Sequence, residues 1–368
     1  METVIYRLDD YCLTDAVSEA DREKLKKAAS ILAEGGLVAF PTETVYGLGG
    51  NALNPESSRH IYAAKGRPSD NPLIVHIADI KDLKSLVSDI PEAAQRLADR
   101  FWPGPMTMVF RKSGLVPKET TGGLDTIAVR FPVHPVAMEL IRLSGVPIAA
   151  PSANLSGRPS TTTAEHCIED LTGRIDAIVD GGSAEIGVES TIIDVSGPIP
   201  QLLRPGAVTK EMIEETLGIT LPEDAAIRGP LAPGVRPKAP GMKYRHYAPK
   251  APLQLIVGRD GYSGVAKAAA ELLLNKAEAG IKPALLCTPE CLEELKTLDS
   301  FSEKDIIIRL AGSRADRQQT AHDLFEMLRE LDETEAEFIV AEGCPEDQLG
   351  QAIMNRLKKA AAWQIMYV

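Results

Sequence analysis

The chain has 368 residues, 44% of them hydrophobic and 25% charged, with a mean hydropathy of −0.07. This is the composition of a soluble globular protein, and the length favours two domains. No apolar run approaches the roughly 20 residues that a membrane-spanning helix needs. The N-terminus lacks the basic and apolar regions of a secretory signal, so we expect a cytoplasmic protein without a membrane partner.

Charge and cysteine content exclude further classes. The formal net charge is −12, which weighs against a dedicated RNA-binding protein because phosphate neutralisation dominates that affinity, although it leaves room for one local basic site. Five widely spaced cysteines without a Cys-x-x-Cys pair argue against a disulfide framework and against a zinc ribbon.

Residues 1–220 alternate predicted helices and strands. Apolar spacing and end signals predict helices at Asp21–Glu34, Pro55–Ala64, Glu92–Phe101, Pro135–Leu143 and Thr163–Leu171. Short apolar runs predict strands at Leu37–Phe40, Leu73–Ile77, Met106–Phe110, Ile127–Phe131, Ile148–Ala150 and Thr191–Val195. Polar turns follow several of these strands, and loops on a rigid scaffold commonly carry function.

A proline-rich, basic segment at residues 221–250 is the predicted linker. From Ala225 to Lys250 it holds five prolines, six Lys or Arg and no acidic residue, which favours extended chain. In residues 251–368, strands are predicted at Leu253–Val257, Ala284–Cys287, Asp305–Leu310 and Glu337–Ala341, and helices at Val265–Ala279, Thr320–Leu331 and Gln348–Ala361. This alternation predicts a small parallel, Rossmann-like sheet with helices on its faces.

The segment Lys65–Pro72 places two cations on a stiff turn before a strand. If the segment is extended, Lys65 and Arg67 point the same way, because side chains alternate along a strand. Arg offers a planar fork for phosphate oxygens and Lys a mobile point charge, so the pair suits a triphosphate. A surface turn with two solvated charges is the alternative interpretation of Lys-x-Arg taken alone.

Four other polar clusters lie at predicted strand ends: Pro41–Leu48, Pro151–Gly157, Glu189–Thr191 and Leu203–Gly206. Capping hydroxyls and turn prolines explain each cluster alone, but together they describe a polar cleft for an anionic ligand and a small polar one. No Walker A, His-Glu-x-x-His or Gly-x-Ser-x-Gly motif occurs. Gly47–Gly50 lacks the strand-to-helix context of a dinucleotide-binding loop.

The motifs resemble those of the threonylcarbamoyl-AMP synthase family in its long, two-domain form, whose catalytic part is the YrdC-like domain. The matching motifs are Pro-Thr-Glu-Thr-Val-Tyr-Gly-Leu at 41–48, Lys-Gly-Arg-Pro at 65–68, Asn-Pro-Leu at 71–73, Pro-Ser-Ala-Asn at 151–154, Glu-Ser-Thr at 189–191, Arg-Pro-Gly at 204–206 and Pro-Gly-Met-Lys-Tyr-Arg-His-Tyr-Ala-Pro at 240–249. The resemblance implies a twisted α/β sheet with a concave cleft in the first domain.

The resemblance also implies a reaction. L-Threonine, bicarbonate or CO2, and ATP would give threonylcarbamoyl-AMP and pyrophosphate, and a partner tRNA threonylcarbamoyl transferase would complete the N6-threonylcarbamoyladenosine modification at position 37 of tRNA. A weak contact of this chain with tRNA is part of that expectation. Mg²⁺ is expected to arrive with ATP, because no clustered carboxylates offer a dedicated site and Glu43 is the one acidic candidate.

Site residues follow from the same resemblance. The implied ATP-binding residues are Lys65, Arg67, Asn71, Ser152, Asn154, Thr162, Arg204 and Tyr247, with Lys65 and Arg67 as the catalytic pair. The implied threonine-binding residues are Thr44, His76, Thr126, Arg130 and Ser190. Arg130 can fork onto the threonine carboxylate. For His76, a packed histidine within an apolar strand is the alternative.

Two questions stay open at the level of sequence. Tyr247, with Arg245 and His246, can form a lid that shields a labile intermediate from water, or the linker is a passive spacer. The competing functions are an RNA-binding module and another YrdC-like carbamoyl-transfer enzyme, such as a hydrogenase-maturation factor. The acidic charge disfavours the first, and the missing Cys-x-x-Cys pairs disfavour the second.

Overall fold

The structure is a computed structural model that describes residues 2–9, 17–231, 234–242, 246–299 and 301–368. The chain divides into two compact units, Met1–Ser156 with Ser160–Lys243 and Gly157–Pro159 with Tyr244–Val368. The division falls inside the predicted linker. The part of that segment before the division belongs to the first unit, because Ala226, Ala239 and Met242 are buried in one of its hydrophobic clusters.

The first unit is built from seven α-helices and ten strands among the described residues. The helices are α1 Glu19–Ala33, α2 Pro55–Lys65, α3 Ile80–Leu86, α4 Glu92–Phe101, α5 Pro135–Ser144, α6 Ala164–Leu171 and α7 Lys210–Leu217. The strands are β1 Val4–Arg7, β2 Val38–Phe40, β3 Gly47–Asn51, β4 Ile74–His76, β5 Met106–Arg111, β6 Thr126–Arg130, β7 Ile148–Ala149, β8 Ala177–Asp180, β9 Thr191–Asp194 and β10 Gln201–Arg204.

All ten strands join one mixed sheet in the order β1-β8-β2-β3-β7-β4-β6-β5-β9-β10. Parallel and antiparallel pairs alternate irregularly along it; β4 and β6 are parallel, for example, whereas β5 and β6 are antiparallel. The predicted α/β class is therefore confirmed. Sequence reasoning placed the end of a strand at Leu203–Gly206, where β10 ends, but it did not predict β1, β3, β8, α3 or α7.

The end of α2 corrects one expectation about the paired cations. Asn54 caps the start of the helix by accepting from the Glu56 N–H, and Gly66 ends it in the left-handed conformation at φ +62°. Lys65 is thus the last helical residue, and the segment from Lys65 to Arg67 is not extended. The condition on which strand alternation would align these two side chains is therefore not met, because the left-handed glycine separates the helix from the turn.

The second unit contains a five-stranded sheet with helices between its strands. Its elements are β11 Leu253–Val257, α8 Val265–Glu278, β12 Pro283–Cys287, α9 Pro289–Lys296, β13 Ile307–Leu310, α10 Arg317–Asp332, β14 Phe338–Glu342, α11 Leu349–Ala360 and β15 Ile365–Tyr367. The strand order is β13-β12-β14-β11-β15, and every pair is parallel, which confirms the predicted Rossmann-like sheet. Neither α9 nor β15 was predicted.

Among the described helices, none combines the length and the apolar character that crossing a membrane requires.

Candidate active site

Three adjacent strands bring polar residues from distant parts of the chain side by side. β6 lies between β4 and β5, and its last residue, Arg130, is in register with His76 on one side and with Thr107 on the other. Residues in register on neighbouring strands point to the same face of the sheet. All three are buried, so Arg130 is surrounded by protein rather than by solvent.

The loop between β2 and β3 supplies the next contacts of Arg130. Its Nη1 donates to the Thr44 hydroxyl at 2.8 Å, and its Nη2 lies 2.7 Å from Oε1 of Glu43. The Thr42 hydroxyl lies 2.9 Å from that of Thr44 and so links the start of the loop to the same cluster. Three of the residues predicted for threonine, Thr44, His76 and Arg130, are therefore brought together.

A second series of contacts joins two of the sequence motifs to this cluster. The Thr107 and Ser190 hydroxyls lie 2.8 Å apart. Arg204 donates from Nε to the Ser190 carbonyl at 3.0 Å and from Nη2 to the Ser190 hydroxyl at 3.2 Å. Thr107 is also the cross-strand neighbour of Arg130. The series of contacts therefore leads from Arg204, which was predicted to bind ATP, to Arg130, which was predicted to bind threonine. Ser190 lies between the two.

The approach of the Arg-Pro-Gly turn to the Glu-Ser-Thr segment depends on Gly206. A Cβ at this position would lie 2.4 Å from the Thr191 backbone nitrogen. We expect Gly206→Ala to lower the free energy of unfolding by about 1–3 kcal/mol, because the backbone must move apart. Urea unfolding measures this loss. Gly197→Ala is the control, since its Cβ would meet nothing within 4 Å among the described residues; equal stability of the two variants would contradict the argument.

Lys65 is fixed by the loop that follows β7. Its ammonium donates to the Ser152 carbonyl at 2.5 Å and to the Asn154 carbonyl, and the Ser152 hydroxyl donates to the Asn154 side chain. Ser152 also forms a bridge with Gly47, the first residue of β3. Lys65 is therefore tied through Ser152 to the start of β3, directly after the β2–β3 loop that reaches Arg130.

Arg67 shapes its own turn. Its Nε donates to the Asn71 carbonyl at 3.3 Å and its Nη2 to the Pro72 carbonyl at 3.0 Å, which closes the turn between α2 and β4. Asn71 is 1% exposed, yet its Oδ1 has no hydrogen-bond partner among the described residues. A buried amide oxygen without a partner is unusual, and such a group commonly serves a ligand or a water.

Thr162 is buried close to the β2–β3 loop. Its backbone N–H donates to Nδ1 of His166 at 3.3 Å. The preceding residue, Thr161, accepts a hydrogen bond from the Tyr46 N–H at 2.8 Å through its carbonyl. Thr162 therefore follows a residue that is bonded to the end of the β2–β3 loop, and its ATP role stays a prediction.

Two further predicted site residues, Thr126 and Tyr247, lie on other parts of the fold. Thr126 begins β6 and Arg130 ends it, which separates them by about 13 Å along the strand at roughly 3.3 Å per residue. Tyr247 belongs to the second unit, where its ring packs on Phe325 with centroids 5.1 Å apart. Arg245 of the predicted lid lies outside the described residues. The ATP and lid roles of Tyr247 and the threonine role of Thr126 stay predictions.

Burial sets the charge state of two histidines at the site. Burial lowers the pKa of His76 to about 3, and the positive charge of Arg130 acts in the same direction. The pKa of His134, which precedes α5, is lowered to about 3 by the same two causes. Both imidazoles are therefore neutral at pH 7, so neither adds charge next to Arg130.

Sequence reasoning missed Thr107 and His134, and it considered Glu43 only for a metal. A hydroxyl within the apolar run of β5 gains no apolar contact, and this feature of the sequence was the available signal for Thr107. His134 precedes the proline that begins α5, so the sequence alone explains it as a residue of the helix start. Its nearness to Arg130 arises from tertiary packing.

Comparisons with known proteins agree with these motifs. A family model described as Telomere recombination matches residues 30–206, and one described as Threonylcarbamoyl-AMP synthase, C-terminal domain, matches residues 208–362. Threonylcarbamoyl-AMP synthase of Pyrococcus abyssi is 46% identical over 345 residues, covering 94% of this chain and 96% of that protein. Its counterpart in Bacillus subtilis is 46% identical over 356 residues, covering 96% and 97%.

A solved structure resembles the whole chain. The crystal structure of P. abyssi Sua5 complexed with L-threonine superposes with a TM-score of 0.88 at 43% identity and covers 100% of both chains. The identity and coverage of the two relatives, together with the two family models, establish the assignment that the motifs predict. This chain belongs to the threonylcarbamoyl-AMP synthase family.

Proposed function

We propose that this chain forms threonylcarbamoyl-AMP and pyrophosphate from L-threonine, bicarbonate or CO2, and ATP. The observation that supports this best is the burial of three cations at the ends of α2, β6 and β10: Lys65, Arg130 and Arg204 are 2%, 4% and 4% exposed. Buried cations held by backbone and hydroxyl oxygens are suited to bind anionic groups in a fixed geometry.

The proposed reaction asks the protein mainly to position its substrates. The α-ammonium group of threonine loses a proton to solvent, and the resulting amine bonds to the carbon of CO2 and releases a second proton to give a carbamate. A carbamate oxygen then attacks the α-phosphorus of ATP, and the bond to pyrophosphate breaks. Alignment and neutralisation of phosphate charge account for most catalysis of this kind. A site of Lys, Arg, Ser, Thr and Asn side chains fits that requirement without a covalent nucleophile.

The residues divide between the substrates in this proposal. Lys65, Arg67 and Arg204 would contact the phosphates of ATP. The neighbouring polar groups on the ATP side are Asn71, Ser152, Asn154 and Thr162. Thr44, His76, Arg130 and Ser190 would hold threonine, with the Arg130 guanidinium on its carboxylate.

Mg²⁺ would enter as part of the nucleotide. The described residues include no group of three or more His, Cys, Asp or Glu side chains that can hold a metal ion. Glu43, the acidic residue of the cluster, is paired with Arg130. A triphosphate-borne Mg²⁺ would help to neutralise phosphate oxygens, while the protein supplies Lys and Arg side chains.

Pyrophosphate release tests the proposal directly. We expect release from MgATP only when threonine and bicarbonate are both present, because the attacking carbamate needs both. Labelled bicarbonate should appear in a product that also contains AMP and threonine. Release that does not depend on threonine, or no release with all three substrates, would contradict the proposed function.

The product defines the class of reaction that follows. Threonylcarbamoyl-AMP is a mixed anhydride, and we propose that a tRNA threonylcarbamoyl transferase consumes it to modify adenosine 37. With a net charge of −12, this chain would contact tRNA weakly, so the transferase would provide most of the tRNA binding.

A further inference from the structure

Glu43 and Arg130 form a buried pair whose hydrogen-bonding capacity is largely unused. Glu43 is 1% exposed and Arg130 is 4% exposed. Oε1 of Glu43 lies 2.7 Å from Nη2 of Arg130, but neither carboxylate oxygen of Glu43 has a hydrogen-bond partner among the described residues. The same holds for Nε and Nη2 of Arg130, and only Nη1 is used, by Thr44.

The backbone around Glu43 is firmly placed. The Ile186 N–H donates to the Glu43 carbonyl at 2.8 Å, and the Gly187 N–H donates to the Thr44 carbonyl at 3.1 Å. The Ile186–Gly187 segment therefore holds the backbone from which the Glu43 side chain contacts Arg130.

Leaving hydrogen-bond positions of buried charged groups unused is costly. A buried charged group without its hydrogen bonds loses the hydration that water would provide, and native proteins rarely contain one without a functional reason. A purely structural pair would be expected to use both carboxylate oxygens and the guanidinium fork. Here the Glu43 carboxylate keeps acceptor positions open, and the Arg130 guanidinium beside it keeps donor positions open.

This arrangement matches a zwitterion. In an α-amino acid the ammonium and the carboxylate are attached to the same carbon, so their partners must also be adjacent. Glu43 offers an acceptor for the ammonium, and Arg130 offers Nε and Nη2 donors for the carboxylate.

We infer that Glu43 binds the α-ammonium group of the amino-acid substrate through its open Oε2, next to the carboxylate site on Arg130. The inference rests on the proposed function, which assigns Arg130 to the threonine carboxylate. It adds a binding residue that the sequence motifs did not assign. It also gives a basis for selectivity. If the ligand is an acid without an ammonium group, the Glu43 carboxylate faces the ligand carboxylate with no positive charge of the ligand to pair with it.

Isothermal titration calorimetry with two ligands tests this role. L-Threonine carries the ammonium group, and 3-hydroxybutyrate is the same molecule without it. We expect Glu43→Gln to weaken threonine binding about 10- to 100-fold, the range for losing a hydrogen bond to a charged group. Binding of 3-hydroxybutyrate should not weaken, so the ratio of the two affinities should fall. Glu139→Gln is the matched control, since Glu139 pairs with Arg22 outside the cluster.

The outcomes separate the inference from the function on which it rests. Unchanged threonine affinity in Glu43→Gln, or equal weakening of both ligands, overturns the role of Glu43 while the proposed function stands. A wild-type protein that binds no threonine overturns both. If Glu43→Gln does not fold, Glu43→Asp decides, because a retracted carboxylate should weaken threonine more than 3-hydroxybutyrate. Equal weakening in that variant overturns the inference.

Discussion

Lys65→Met should lower the rate of threonine-dependent pyrophosphate release about 100- to 1000-fold, the effect of removing one preorganised electrostatic group from a site of developing charge. Lys65 is 2% exposed, and its ammonium donates to the carbonyls of Ser152 and Asn154. A charge fixed in this way needs no reorganisation when the pyrophosphate leaves. Methionine keeps most of the side-chain volume, so the loss reports mainly on charge.

The control for this prediction is Lys84→Met, because Lys84 is an exposed lysine on α3. Its rate should equal that of the wild type. Circular dichroism and thermal unfolding of Lys65→Met establish that the variant is folded before its rate is compared. A folded Lys65→Met protein with a wild-type rate would remove Lys65 from the catalytic machinery.

Acidification below pH 6.5 should destabilise the first unit steeply. His76 and His134 have folded-state pKa values of about 3, whereas a histidine in the unfolded chain titrates near 6.5. Between these values the unfolded state binds a proton that the folded state excludes, so stability falls as the pH falls. Each histidine contributes up to about 1.4 kcal/mol per pH unit, and about 4–5 kcal/mol over the whole window.

Urea unfolding at pH 7.5, 6.0 and 5.0 measures this slope. A Trp363→Phe background leaves Trp102 as the single tryptophan, so its fluorescence follows the first unit alone. His134→Gln should flatten the slope by about 1.4 kcal/mol per pH unit, because one excluded proton is removed. His60→Gln should leave it unchanged, since His60 is exposed. Parallel slopes in all three proteins would show that His134 is not buried in the neutral form.

Helices and strands with strong patterns could be predicted from the sequence, while weakly patterned ones could not. The helix Glu92–Phe101 was predicted with its observed ends, because its apolar residues follow the helical period. β3 was missed because it consists mostly of glycine. A Cβ on Gly49 would lie 2.8 Å from the Phe40 ring and 2.9 Å from the Ile148 side chain, so glycine is needed there for packing that the local sequence does not reveal.

The sequence by itself determined the class of the fold, the loops that carry the polar motifs and the type of ligand that those loops suit, because these follow from local patterns of residue type. Only the tertiary structure decided which polar groups meet. Arg130 is placed next to His76 and Thr107 by strand register, and next to Glu43 by a loop from another part of the chain. Register and loop packing depend on contacts between residues far apart in sequence, which no local pattern contains.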